Sequence, residues 1–323
     1  CPGRFAAVVL AALTVAPACS PGRSGEAVAP PAPAASHRLA IGADSLAARL
    51  ATGREPPLLL HVARAGAEYD SAHVAGARLL RLGDIVVERD GIPNELPPRA
   101  RLDSVLAATG VTGGANVVVY GEPLAAARAF FTLDVVGQGD RAAVLDGGLP
   151  AWRAAEHPVS RAGGDTIARP AVRTRAPSSP ALESPVVDAA WIEARRGNAK
   201  IALIDARPPE EFSGEKPGDG VDRPGHIPGA RSLFWKKLLR SDSLPLLQDT
   251  ATLRKLFVDA GAAPGDTVVT YCRTGMQASY AYFVARYLGY ESRMYDGSYL
   301  DWVRVPSRAV ERGRDAAGTG AGR

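Results

Sequence analysis

The sequence predicts an α/β fold made of two tandem domains, each a mostly parallel sheet flanked by helices. Three observations carry the expectation. Short apolar runs alternate with helical stretches along the whole body of the chain, the pattern of strands joined by crossover helices. Three separate motifs of the first half return in the second half in the same order. The length, 323 residues, suits about two domains of ordinary size.

The repeat is read directly. His73-Val74-Ala75-Gly76-Ala77-Arg78 matches His226-Ile227-Pro228-Gly229-Ala230-Arg231. Leu102 to Gly110 followed by Val117-Val118-Val119-Tyr120 matches Leu253 to Gly261 followed by Val268-Val269-Thr270-Tyr271. Asp146-Gly147-Gly148-Leu149-Pro150-Ala151-Trp152 matches Asp296-Gly297-Ser298-Tyr299-Leu300-Asp301-Trp302. Within the first half the strands are expected at Leu58–Val62, Asn116–Tyr120 and Ala142–Leu145. In the second they are expected at Ile201–Asp205, Thr267–Tyr271 and Arg293–Tyr295. Ala281 to Leu288 reads as a buried helix with Gly289 as its stop. Trp152 and Trp302 are expected in the cores.

The ends and joints follow from composition. Arg4 and the apolar run Phe5 to Val15 have the form of an export signal, too short for a spanning helix. Ala16-Pro17-Ala18-Cys19 has the form of a bacterial lipoprotein cleavage box, although Ala16 stands where Leu is usual. Residues 1–19 are therefore expected to be a signal or lipoprotein segment, with Cys19 the candidate lipidated residue. The sequence opens on Cys1, so an initiating Met is expected upstream or replaced. Residues 20–37, rich in Pro, Ala, Gly and Ser, are expected to be a flexible tether. The domains are expected at 38–154 and 183–305, with a linker at 155–182 and a disordered tail at 306–323. The protein is expected in the periplasm or cell envelope, as a monomer, touching membrane only through a lipid on Cys19. Its formal charge of +4 is spread without a Lys/Arg block, which argues against nucleic acid and favours small anions.

One stretch concentrates chemistry: Val268 to Tyr271, then Cys272-Arg273-Thr274-Gly275-Met276-Gln277, then a helix. A cysteine between a strand end and a helix N-terminus meets converging N–H groups and the favourable end of a helix dipole. Its thiol is expected to have a lowered pKa and to act as a nucleophile toward an anionic substrate, with Arg273 adding positive charge. With Cys1 and Cys19 the only other cysteines, Cys272 is expected to be unpaired.

The six residues Cys272 to Gln277 resemble the active loop of the rhodaneses, the thiosulfate sulfurtransferases, and residues 38 to 304 resemble their two-domain members. The resemblance implies two rhodanese-like domains, of which the second is catalytic. It implies a persulfide on Cys272, formed from thiosulfate and passed to a thiophilic acceptor such as cyanide or a cellular thiol. Arg273, Thr274, Gly275, Met276 and Gln277 would bind substrate as the active loop, and Asp205, Arg207 and Glu211 would support it. Glu211 stands near where vertebrate relatives place an anion-binding Arg, and a bond from it to the loop is expected instead. No metal or organic cofactor is implied. In the first half Gly121-Glu122 replaces the Tyr271-following Cys272-Arg273, and Val62-Ala63-Arg64 replaces Asp205-Ala206-Arg207, so that half is expected to be silent and to wall the cleft. His61 and His226 are expected to be structural. A phosphatase of related fold would need Arg six residues after the Cys, where this chain has Ala278. A 3-mercaptopyruvate sulfurtransferase and a non-enzymatic envelope sulfur carrier remain as alternatives.

Overall fold

The computed structural model describes residues 1–3, 35–36, 38–161 and 184–313. The expectations for Cys19, for most of the tether, for 162–182 of the linker and for 314–323 of the tail lie outside the described residues.

In chain order the first half contains β1 (Ala40–Ile41), α1 (Ala43–Ala51), β2 (Leu58–Ala63), α2 (Gly66–Ser71), β3 (His73–Val74), β4 (Arg78–Arg81), β5 (Val87–Arg89), β6 (Ile92–Glu95), α3 (Arg99–Ala108), β7 (Val117–Gly121), α4 (Pro123–Val135), β8 (Ala142–Leu145), α5 (Gly148–Ala154) and β9 (Val159–Ser160). The second contains β10 (Val186–Val187), α6 (Ala189–Arg195), β11 (Ile201–Asp205), α7 (Pro209–Ser213), β12 (Arg231–Ser232), α8 (Thr250–Asp259), β13 (Thr267–Tyr271), α9 (Met276–Tyr287), β14 (Glu291–Tyr295) and α10 (Ser298–Arg304). All six expected strands are present, and Gly289 ends α9 at φ +87°.

The duplication is visible in the topology. One five-stranded parallel sheet runs β1-β8-β7-β2-β4 and the other β10-β14-β13-β11-β12, the same order strand for strand. The central strands are apolar on both faces because helices cover both sides of a parallel sheet. Val117–Tyr120 and Val268–Tyr271 are accordingly buried throughout. Trp302 is fully buried and Trp152 nearly so; their indole N–H groups donate to the carbonyls of Ala309 and Pro158. Both tryptophans are core residues, as expected.

The halves share one apolar core through α4 and α9. Phe130 meets Phe283 and Phe131 meets Tyr282, both edge to face. The Tyr282 hydroxyl donates to Asp134 at 2.6 Å, and Arg286 pairs with the same carboxylate at 2.9 Å. A hairpin adds a second contact. β5 and β6 turn at Asp90-Gly91, both with positive φ, and the strands cross toward the second half. There the Leu96 N–H donates to Asp296 Oδ2 at 2.7 Å. The reverse contact mirrors it: the Leu247 N–H donates to Asp146 Oδ1 at 2.8 Å.

The ordered parts extend past the expected limits. Val159–Ser160 pairs antiparallel with His73–Val74, so residues 155–161 belong to the first half rather than to a linker. Glu311 exchanges backbone hydrogen bonds with His226, so residues 306–313 are pinned to the second half rather than frayed. The Ser36 N–H donates to the Tyr287 carbonyl, which fixes the end of the expected tether. In each case the polar composition concealed backbone groups with partners distant in sequence.

Candidate active site

Cys272 lies where β13 ends, at the carboxyl end of the central strand of the second sheet, the place where open α/β sheets bind ligands. The chain turns at Gly275 with φ +90°, a conformation suited to glycine, and α9 begins at Met276. A Cβ at Gly275 would stand 3.1 Å from both the Asp296 carbonyl and Oδ1, and 3.2 Å from Arg128 Nη1. The turn aims the Gly275 N–H at the sulfur, with N to Sγ 3.1 Å.

The base of the loop is fixed from the Asp296-Gly297-Ser298 turn. The Cys272 N–H donates to Ser298 Oγ at 3.3 Å, and that hydroxyl donates to the Tyr295 carbonyl. The N–H groups of Tyr299 and Leu300 donate to the carbonyls of Cys272 and Arg273. Ser298 holds φ +54°, where the first half has Gly148 at φ +55°. The second half keeps a side chain in a strained left-handed conformation, and the hydroxyl is what it gains. Ser298→Gly is expected to cost little or no stability, within ~1 kcal/mol of wild type, because relief of strain offsets the lost hydrogen bonds. Activity is expected to drop about tenfold as the loop loosens. Melting temperature beside turnover checks this; a large loss of stability at full activity would contradict it.

The thiol differs from expectation. Cys272 is 2 % exposed, and burial pushes its pKa up, while N–H groups of Ala278, Thr274 and Gly275 pull it down and Asp205 adds to the rise. Helix position predicts a depressed pKa because it reports the dipoles and is blind to desolvation, the largest influence here.

Asp205 and Arg207 form a fully buried bidentate pair, with Nε 2.9 and 3.0 Å from the two carboxylate oxygens and Nη2 2.5 Å from Oδ2. Arg207 also donates to the Gly225 carbonyl and stacks over Tyr299 at 4.1 Å. Asp205 pairs in register with Tyr271, and the Ala206 N–H donates to the Tyr271 carbonyl. The pair thus braces the strand end that carries Cys272, from the side away from solvent.

Arg273 is partly exposed and pairs with the exposed Asp219 at 3.4 Å. Glu211 does not make the expected bond to the loop. Its Oε2 is buried without a hydrogen-bond partner among the described residues, and burial raises its pKa against the lowering effect of Arg207 and Arg273. The carboxylate and the Arg273 side chain both crowd Gly218, within 3.0 Å of where a Cβ would stand, so Glu211 acts on Arg273 through charge. Thr274 Oγ1 accepts from Asn94 Nδ2 at 3.1 Å, across the junction of the halves. Met276 is buried in the shared core. Gln277 is half-buried. His226 stacks on Phe212 at 3.8 Å and its Nδ1 contacts the Phe212 carbonyl, a structural role as expected.

The equivalent place in the first half is closed. A Cβ at Gly121 would stand 2.1 Å from the Val62 carbonyl oxygen, which leaves no room for a cysteine. The Glu122 carboxylate accepts the Ala125 N–H at 3.2 Å, so the helix N-terminus that could have received an anion is capped by its own side chain. His61 there is buried against Tyr120, and burial beside His73 lowers its pKa to about 4.

Sequence reasoning missed Arg128 and Asn94, which the first half sends to the loop. Arg128 is fully buried, with Nη1 2.6 Å from Asp296 Oδ1 and Nη2 2.5 Å from the Asn94 carbonyl. The Asp90-Gly91 turn signalled the hairpin that carries Asn94. For Arg128 the signal was a lone charge amid Ala125 to Phe131.

The chain is similar to known proteins over most of its length. The model of the family described as "Rhodanese-like domain" matches residues 188–304. The chain is 32% identical over 281 residues to the "Thiosulfate sulfurtransferase" of Azotobacter vinelandii, covering 86% of this chain and 98% of that one. It is 34% identical over 289 residues to a "Probable 3-mercaptopyruvate sulfurtransferase" of Pseudomonas aeruginosa, covering 84% and 98%. Among solved structures, the anaerobic ergothioneine biosynthesis enzyme of Chlorobium limicola superposes with a TM-score of 0.73 at 22% identity, covering 86% of this chain and 71% of that one. At that identity the likeness concerns the fold.

Proposed function

Given that the chain belongs to the rhodanese family of sulfurtransferases and has its two tandem rhodanese-like domains, we propose that it moves the outer sulfur of thiosulfate to a thiophilic acceptor through a persulfide on Cys272. The observation that carries the reading is the buried Cys272 Sγ with the Gly275 N–H aimed at it at the head of α9. As thiolate, Cys272 attacks the outer sulfur of thiosulfate. The sulfur–sulfur bond breaks, its electron pair leaves with sulfite, and a persulfide remains. Cyanide, or a cellular thiolate, then attacks the terminal sulfur and returns the Cys272 thiolate. The N–H groups around the sulfur stabilise the anionic forms in a site shielded from water, where such contacts are strongest.

Donor choice rests on Arg273. A guanidinium on the loop suits the compact sulfonate-like end of thiosulfate. Asp219 and Glu211 draw on the same charge, so efficiency is expected to be modest. The likeness to the mercaptopyruvate relative supports that donor as the second reading. We expect a higher kcat/KM for thiosulfate than for 3-mercaptopyruvate with cyanide as acceptor. Arg273→Gly should lower the thiosulfate value about ten- to a hundredfold, the loss of one charge-assisted contact of about 1.5–3 kcal/mol. A higher kcat/KM for 3-mercaptopyruvate would transfer the assignment to that donor.

An envelope location is part of the proposal, supported by the apolar run before Cys19 and the Pro/Ala-rich stretch after it. Fractionation of cells making the full-length chain is expected to find it with membranes, released by detergent. Recovery in the cytosol alone would exclude this.

A further inference from the structure

One of the places where the two-fold relation between the halves is broken is a buried position on α4. Exchanging α4 with α9 maps the contact Phe130–Phe283 onto Tyr282–Phe131, so both belong to one symmetric set. In the same register Tyr280 is the counterpart of Arg128. Tyr280 lines a small cavity at the silent end together with Gly121, Asp146 and Gly147. At the active end the corresponding aspartate, Asp296, meets the Arg128 guanidinium. Tyr280 shows that a neutral aromatic side chain suffices for packing at this position. A buried cation carries a desolvation cost that its ion pair must offset. The Arg128 Nε, moreover, has no hydrogen-bond partner among the described residues.

What the charge does is visible in its contacts. Arg128 Nη1 holds Asp296, whose other carboxylate oxygen receives the Leu96 N–H. Nη2 holds the Asn94 carbonyl, and the Asn94 side chain holds Thr274 Oγ1. Asn94 keeps φ +69°, a conformation that asparagine tolerates better than most residues. Nη1 also lies under Gly275, whose N–H is the donor aimed at Cys272 Sγ. Three residues of the silent half, Arg128, Asn94 and Leu96, therefore grip the loop and the turn beneath it.

We propose that Arg128 is a positioning residue for sulfur transfer: through Asp296 and Asn94 the silent half holds Thr274 and Gly275 so that the Gly275 N–H stays on the Cys272 sulfur. The proposal deepens the sulfurtransferase reading and rests on it. It gives the silent half a chemical reason to be retained, since the second half lacks the residue that completes its own loop.

The test is single-turnover persulfide formation, in which excess thiosulfate is mixed with protein and the Cys272 peptide is followed by mass after acid quench. A purely structural defect lowers the amplitude, because less protein is folded, and leaves the rate constant of the folded fraction alone. A positioning defect lowers the rate constant. Arg128→Met is expected to lower the rate constant at least tenfold in the folded fraction, with Arg128→Lys between it and wild type. Asn94→Gly, which suits the left-handed backbone and removes the side chain that holds Thr274, should lower it at least threefold and carries the test if Arg128→Met does not fold. A wild-type rate constant in Arg128→Met, or in Asn94→Gly, would overturn the proposal. Should wild type form no persulfide from thiosulfate or 3-mercaptopyruvate, the sulfurtransferase reading fails separately. Alkylation of Cys272 by iodoacetamide, followed on the same peptide, then decides: Arg128→Met and Asn94→Gly are each expected to be at least threefold slower, and an equal or faster rate overturns.

Discussion

Cys272→Ser is expected to reduce cyanide-dependent thiocyanate formation to the uncatalysed background while leaving the fold intact. The substitution is nearly isosteric, and the Gly275 N–H that meets Sγ can meet Oγ in the same place. What disappears is a nucleophile that can form and release a sulfur–sulfur bond. A hydroxyl in a buried site is barely ionised, and oxygen does not form an exchangeable link to sulfur under these conditions. Loss of a covalent nucleophile has cost on the order of 10⁶-fold elsewhere, so background is the only rate expected. Cys1 and Cys19, the other cysteines of the sequence, precede the stretch 38–304 that carries the two repeats. Thiocyanate production by the variant at more than a few per cent of wild type would place the chemistry elsewhere.

The second large effect concerns stability. Asp205→Ala is expected to cost about 3–5 kcal/mol, the range for removing one partner of a buried ion pair. Arg207 would be left fully buried, with the Gly225 carbonyl and the faces of Tyr299 and Tyr271 as its remaining partners among the described residues. A domain stable by about 5–15 kcal/mol would lose a large part of its margin. Replacing both partners, Asp205→Ala with Arg207→Met, should cost less than Asp205→Ala alone, because no uncompensated charge remains. Urea denaturation of the three proteins measures this. A loss under ~1 kcal/mol for Asp205→Ala would mean that water reaches the pair and that its burial has little energetic consequence.

Much of this architecture was legible in the residues because it is local or repeated. Thr267–Tyr271 and Ile201–Asp205 are β-branched or aliphatic runs bounded by turn residues, and both strands fall where the pattern puts them. The repeated Leu-rich, Val-rich and Asp-Gly motifs gave the tandem plan, and the sheets repeat it strand for strand. Other features depend on partners distant in sequence. The segment Leu124 to Leu133 reads as an apolar helix, and nothing local says that Arg128 meets Asp296 in the other half. The upward pull of burial on the Cys272 pKa is hidden from the sequence for a related reason: helix dipoles can be read from a strand–loop–helix pattern, whereas desolvation depends on everything packed above the loop. The same blindness to distant partners hid the pairing of Val159–Ser160 with His73–Val74 and of Glu311 with His226.

The central claim is that Cys272 carries the sulfur. Intact and peptide mass spectrometry of the purified protein after thiosulfate, without acceptor, tests it most directly. The account predicts a gain of one sulfur atom on the peptide containing Cys272, removed stoichiometrically by cyanide with release of thiocyanate. Turnover with no sulfur gained on that peptide, or with sulfur gained that cyanide does not remove, would contradict it.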